Sequence, residues 1–136
     1  MERLFMYNKL VVVKLWFKKA ENDLSTIKNN LKSSNPPTDA ICFHAQQAIE
    51  KYIKGALINY EIHFSKTHDL VNLMTSIVKH FPELSSYEED LEEISHYGVE
   101  IRYPDSFYEP TLMEAKKAYN TARRIKKLIT NKIPTS

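Results

Sequence analysis

The 136 residues, 43% hydrophobic and 26% charged, are enough to bury a core and ordinary for a folded domain. A formal net charge of +2 excludes a polycation, and only two glycines, Gly55 and Gly98, argue against turn-rich sheets and Gly-rich phosphate loops. Cys42 stands alone, which excludes an intrachain disulfide and a Cys-based zinc site and leaves it as a small core residue.

Residues 1–17 contain short apolar runs broken by Lys9 and Lys14. They lack the form of a signal peptide, and no stretch of the chain approaches the roughly 20 apolar residues of a membrane span. The expectation is a cytoplasmic protein, one domain over residues 1–136, with no membrane partner. Trp16, Phe17, Ala20, Leu24, Ile27 and Leu31 keep helical spacing, predicting a first helix from near Val13 to about Lys32. Leu10 to Val13 either extend that helix or form an N-terminal arm over residues 1–12. The run Ser33-Ser34-Asn35-Pro36-Pro37 stops it, because each proline disfavours helix at the residue before it.

Thr38 or Asp39 then caps a central helix to Tyr60. Ile41, Ala45, Ala48, Ile49, Tyr52, Ile53, Ala56 and Tyr60 share one wide apolar side, while Phe43 and Leu57 stray from it. His44, Gln47, Lys51 and Lys54 form a separate polar stripe that folding does not require. After a connector, Thr67 is the expected cap of a third helix with Leu70, Leu73, Met74, Ile77, Val78 and Phe81 on its apolar side, closed by Pro82.

Ser85 or Ser86 begins a fourth helix, with Glu88, Glu89 and Asp90 suited to its positive end and Leu91, Ile94, Tyr97 and Ile101 buried. A loop with Pro104 and Pro110 leads to a last helix from about Thr111 to Lys132, facing the core with Leu112, Ala115, Tyr119, Ala122, Ile125 and Ile129. The fold class expected is all-α: a five-helix antiparallel up-and-down bundle, a four-helix core plus one.

Charge is segregated along the chain. Nine acids and one base, Arg102, lie between Glu83 and Glu109; seven bases and no acid lie between Lys116 and Lys132. The two stretches can pair with each other, or the basic helix can track a phosphate backbone or an acidic partner. Arg102, directly before Tyr103 and Pro104, offers a planar five-donor guanidinium, suited either to a neighbouring acid or to a phosphate. The stripe of His44, Gln47, Lys51 and Lys54 is a second candidate phosphate-binding edge. His68 reads as structural. Glu92 and His96 are four apart on one helix face, but no third ligand stands at clear spacing, so no metal is expected. No Walker A loop, dinucleotide fingerprint, G-x-S-x-G or H-E-x-x-H occurs, and no cofactor is expected.

WFKKAENDLSTIK, CFHAQQAIEKYIKGAL, KTHDLVNLM and EIRYPDSFYEPTLMEAKKAYNTARRIKKLI resemble, in order and spacing, the HEPN family (higher eukaryotes and prokaryotes nucleotide-binding domain) over roughly residues 14 to 131. The pairing of H-x-x-Q-Q-A-x-E-K-x-x-K with a downstream R-Y-P carries the resemblance. It implies a small helical bundle, a homodimer, and an association with a minimal nucleotidyltransferase partner in toxin–antitoxin systems. Many members are metal-independent RNases whose motif is an arginine, four to six residues, then a histidine.

Here Phe107, Tyr108 and Glu109 occupy the histidine's place after Arg102. Arg102, Tyr103 and Pro104 carry over; the general acid–base does not. The resulting expectation is a nucleotide- or RNA-binding module with His44, Gln47, Lys51, Lys54, Arg102 and Tyr103 as its site. The alternatives are an RNase in which Arg102 stabilises phosphorane charge and His44 or His96 substitutes as the proton carrier, and a pure protein-interaction module. Tyr103 is also a conceivable target for nucleotidylation by the partner.

Overall fold

A computed structural model describes residues 2–98 and 109–135, with side chains from residue 8 onward. All its regular elements are helical: α1 (Glu2–Leu31), α2 (Thr38–Asn59), α3 (Leu70–Ile77), α4 (Glu88–Ser95) and α5 (Leu112–Lys132), with 3₁₀ turns at Pro82–Tyr87 and His96–Gly98. The all-α bundle is thus as the hydrophobic periodicity predicts.

α2 is the central rod. Ile41, Ala45, Ala48, Ile49, Ile53 and Ala56 are fully enclosed, and Tyr52 nearly so. Burying a side chain of the size of Ile49 contributes on the order of 1.5–3 kcal/mol. α1 runs antiparallel against α2, Phe17 meeting Tyr52 at a ring-centroid distance of 5.6 Å while Asp23 reaches back toward His44. Gly55 makes this approach possible, since a Cβ there would lie 2.6 Å from Phe17 Cε1 and 3.2 Å from Trp16 Cβ. Gly98 plays the same part at the other side of α2, where a Cβ would meet Gln46 Cδ at 2.6 Å.

α1/α2, α3/α4 and α4/α5 alternate in direction. Between α2 and α3 the extended segment through His68 returns along α2, so α3 starts beside Glu50 and ends where His80 stacks on Tyr60 at 3.8 Å. α5 begins near α4, through Lys117 and Asp90, and ends where Lys132 donates to the His80 carbonyl.

Several expected boundaries move. Helix α1 begins at Glu2, not near Val13, so the LVVV segment continues the helix. Among the described side chains Val13 is the first that is fully buried, and Leu10, Val11, Val12 and Leu15 are exposed. No proline or glycine interrupts residues 2–31, so the backbone stays helical after the packing that reveals the helix has ended.

Pro37, not Thr38 or Asp39, holds the N-cap position of α2, and no side chain caps that end. Asp69, not Thr67, caps α3, accepting from the amides of Val71 and Asn72; Thr67 Oγ1 accepts from the Asp69 amide just upstream. Ser85 and Ser86 donate back to the Pro82 and Glu83 carbonyls inside a 3₁₀ turn and do not cap α4.

Thr111 caps α5 in a reciprocal box with Glu114. Leu112, expected in the core, is 40% exposed in the first turn, and Ala118 lies in the interior instead. Ile101 lies outside the described residues.

Candidate functional site

Two acids that face inward organise the polar residues of α2. Asp23 sits on α1 in register with Ala20 and Ile27, on the side that packs against α2, and is only 7% exposed. His44 Nδ1 lies 2.8 Å from its Oδ1, and Lys51 Nζ lies 2.7 Å from its Oδ2. An ionised carboxylate only accepts, so Nδ1 is the donor, and Nε2 is left as the ring's other functional atom. His44 and Lys51 are two turns apart on α2 and keep 28% and 21% of their side chains exposed, so this node opens to solvent. The Phe43 ring meets the imidazole edge-on at 5.5 Å.

The second node is Glu50. Its Oε2 accepts from Lys54 at 3.0 Å, and its Oε1 accepts from His68 Nδ1 at 2.7 Å and Gln46 Nε2 at 3.0 Å. Burial by itself raises the Glu50 carboxyl, but the hydrogen bonds from His68, Gln46 and Lys54 outweigh it and hold the group below the usual carboxylate range. Gln46 also donates to the His68 carbonyl at 3.1 Å, which ties the connector to α2 and gives His68 the structural role its position implied.

A third contact joins three helices: Glu21 on α1 accepts from Tyr52 at 2.9 Å and lies 2.7 Å from Lys126 on α5. Burial raises the Glu21 carboxyl, and the Lys126 and Tyr52 hydrogen bonds bring it below its ordinary value. Burial and the Glu21 carboxylate push the Tyr52 hydroxyl well above its ordinary value, so Tyr52 stays a donor. Cys42 is enclosed and its thiol is pushed up to about 12, chiefly by burial, which removes it as a nucleophile.

The expected stripe therefore divides. His44 and Lys51 come together on Asp23, with Gln47 half-buried beside them and donating to Gln46 Oε1 at 2.7 Å. Lys54 does not join this edge. It is 8% exposed, paired with Glu50, and its ammonium lies 5.8 Å and 6.0 Å from the Trp16 and Phe64 ring centroids. Lys54 stands about 280° further round the helix than His44, at roughly 100° per residue, and its ammonium meets Trp16 of α1 and Phe64 of the returning connector.

Arg102 and Tyr103 lie outside the described residues. Glu92 and His96 border a shallow hollow with His68 and Ser95. Among the described residues no group of three or more His, Cys, Asp or Glu side chains is placed to hold a metal. No helix among them is long and apolar enough to cross a membrane.

Asp23 and Glu50 were not anticipated as site residues. Asp23 had a signal, a charge in register with Ala20 and Ile27. The signal for Glu50 was the stray Leu57, which lies one turn beyond Ile53 and is fully buried. Glu50 and Leu57, two turns apart, mark a second buried face of α2.

Among the described residues the expected pairing of acidic and basic stretches is partial. Lys117 reaches Asp90 at 3.4 Å, but Lys126 pairs with Glu21 on α1.

Comparison with protein families matches residues 13–133 to the HEPN domain. Among curated proteins, the chain is 30% identical over 102 residues to the Methanocaldococcus jannaschii protein named "Putative toxin MJ1304". The match covers 70% of this chain and 65% of the relative, so the chain spans about two-thirds of that protein's length. No solved structure matches the chain.

Proposed function

The chain belongs to the HEPN domain family, and from that membership we propose that it is a toxin-like module that binds a nucleotide or RNA and acts with a minimal nucleotidyltransferase in a toxin–antitoxin-like pair. The name of the M. jannaschii relative supports the toxin-like half. One observation carries the binding half: Lys51 and His44 converge on Asp23 with solvent on their open side. A cation held in this way is pre-oriented, so a phosphate that reaches it meets a donor already in place.

Gln47 borders the same edge. Arg102 and Tyr103 belong to the proposed site on the sequence pattern, and Arg102 is the fourth residue after Gly98, which packs on Gln46. Lys54 is left out, because Glu50 and two aromatic rings occupy its ammonium. Homodimerisation and a cytoplasmic location are part of the proposal on family grounds.

Lys51→Ala and Arg102→Ala are each expected to weaken binding of a mononucleotide or short RNA by about tenfold or more. That corresponds to the loss of one hydrogen bond to a charged group, roughly 1.5–3 kcal/mol. Titration calorimetry measures it, with circular dichroism to show that the helices persist. Unchanged affinity in both variants would remove the proposal.

A second reading rests on the Asp23–His44 contact of 2.8 Å. A carboxylate that fixes one ring nitrogen leaves the other to carry a proton, so His44 supplies the acid–base group that an RNase would otherwise lack.

A further inference from the structure

α5 carries its cations in an unusual place. A helix dipole stabilises bases in the last turn, where only Lys132 stands. Arg123, Arg124 and Lys127 lie further back, on the part of α5 that faces α1 across a groove of about 860 Å³, with Lys28 lining it from α1. All four side chains are exposed, and among the described residues none has a carboxylate within ion-pair distance.

Glu21, the carboxylate lining the groove among the described residues, is already neutralised by Lys126 at 2.7 Å and Tyr52 at 2.9 Å. Tyr119 is half-buried in the wall, and the Arg123 guanidinium lies 5.5 Å from its ring centroid, so one of the cations is held in place. Folding gains nothing from assembling four unpaired like charges, which repel one another.

We propose that this groove is a second anion site, one that takes the phosphate backbone of a single-stranded polynucleotide without reading its bases. Arg123 and Lys127 are one turn apart, about 6 Å along α5, so successive phosphates of an extended strand can each meet a cation. Lys28 closes the opposite wall. The groove is distinct from the His44–Lys51 edge: Asp23 faces that edge from α1, whereas Glu21, Ser25 and Lys28 face α5.

The test uses fluorescence anisotropy of a labelled oligouridylate about 20 nucleotides long, more than the roughly 4–16 nucleotides that single-strand sites cover, titrated at several potassium chloride concentrations. Uridine monophosphate is titrated in parallel. Arg123→Gln with Arg124→Gln, and separately Lys28→Gln with Lys127→Gln, are each expected to weaken oligonucleotide binding by about tenfold at low salt. Each pair should also flatten the slope of log K against log salt by about 1.4, two contacts at roughly 0.7 each, and leave monophosphate binding as in the wild type.

An unchanged slope in both double variants overturns the proposal. So does displacement of the oligonucleotide by polyglutamate as effectively as by unlabelled oligouridylate, which would make an acidic polypeptide the ligand, or tighter binding of duplex than of single strand. Parallel loss of monophosphate binding would show one site where two are proposed. If the wild type binds the oligonucleotide but no monophosphate, the α2 edge fails as a nucleotide site while the groove stands.

Discussion

Glu50→Ala is expected to destabilise the folded chain by about 3–5 kcal/mol, the cost of leaving a buried charge without its partner. Glu50 is 4% exposed and Lys54 8%, so neither can turn to water without disturbing the packing around α2. Removing the carboxylate strands the Lys54 ammonium between Trp16 and Phe64, whose rings offset only part of the loss. It also takes an acceptor from Gln46 and His68.

The paired variant Glu50→Leu with Lys54→Met should recover most of that stability, because it removes the desolvation of both charges together. Urea unfolding of the two single variants and the pair measures the coupling. A single-variant loss below about 1 kcal/mol would show that the node contributes little.

The same group sets a pH dependence. Its folded-state pKa lies below the unfolded value of 4.5, so between the two values the unfolded chain binds more protons and stability rises with pH. The contribution is complete above 4.5 and is lost as pH falls through the folded-state value. Glu21 acts in the same direction. The deficit of Glu50→Ala relative to the wild type should therefore be smaller in strong acid than at neutral pH.

These nodes mark the limit of what the sequence made legible. Apolar spacing located most of the core of α2, from Ile41 to Ala56, because burial selects apolar side chains at helical steps, but it set aside Leu57, which is fully buried, and included Tyr60, which is only partly so. The same logic misplaced the start of α1: periodicity reports packing, and the helix continues upstream of the predicted start near Val13 to Glu2, with Leu10, Val11 and Val12 exposed. The start of α5 near Thr111 was legible but its Thr111–Glu114 box was not read, and caps were placed incorrectly where several Ser, Thr or Asp residues competed for one end.

The polar stripe was visible on α2, but its division was not. Whether His44, Lys51 and Lys54 form one edge depends on which acid each one meets. The Glu50–Lys54 pair stands at i,i+4 on α2 and was open to a local reading, whereas Asp23 comes from another helix and His68 reaches Glu50 from the connector, pairings that spacing along α2 does not specify.

Replacing Asp23 with Asn separates the two readings of the His44 node, because it acts on them in opposite directions. Asn keeps the shape but removes the charge, and its single carbonyl can face only one of the two donors that Asp23 now satisfies. A phosphate held by Lys51 would sit within several ångströms of the Asp23 carboxylate and be repelled by it. At an effective dielectric between that of a protein surface and water, this repulsion is worth about 1 kcal/mol. On the binding reading, the Asn carbonyl still accepts from Lys51 and keeps it oriented while the repulsion is gone, so Asp23→Asn tightens mononucleotide binding by about threefold to tenfold.

On the acid–base reading, the same change loosens the imidazole and permits the wrong tautomer, which lowers RNA cleavage by up to about 10⁴-fold. His44→Ala lowers cleavage by about 10²–10⁴-fold and affects mononucleotide binding less than Lys51→Ala does. Calorimetry with a mononucleotide and a gel assay of RNA cleavage, run on the same preparations, give both readouts. Tighter binding without cleavage in any variant assigns the node to recognition. Wild-type cleavage that both Asp23→Asn and His44→Ala abolish assigns it to proton transfer, with Asp23 as the residue that positions the imidazole. If Asp23→Asn leaves binding and cleavage both unchanged, the node holds α1 to α2 and does nothing more.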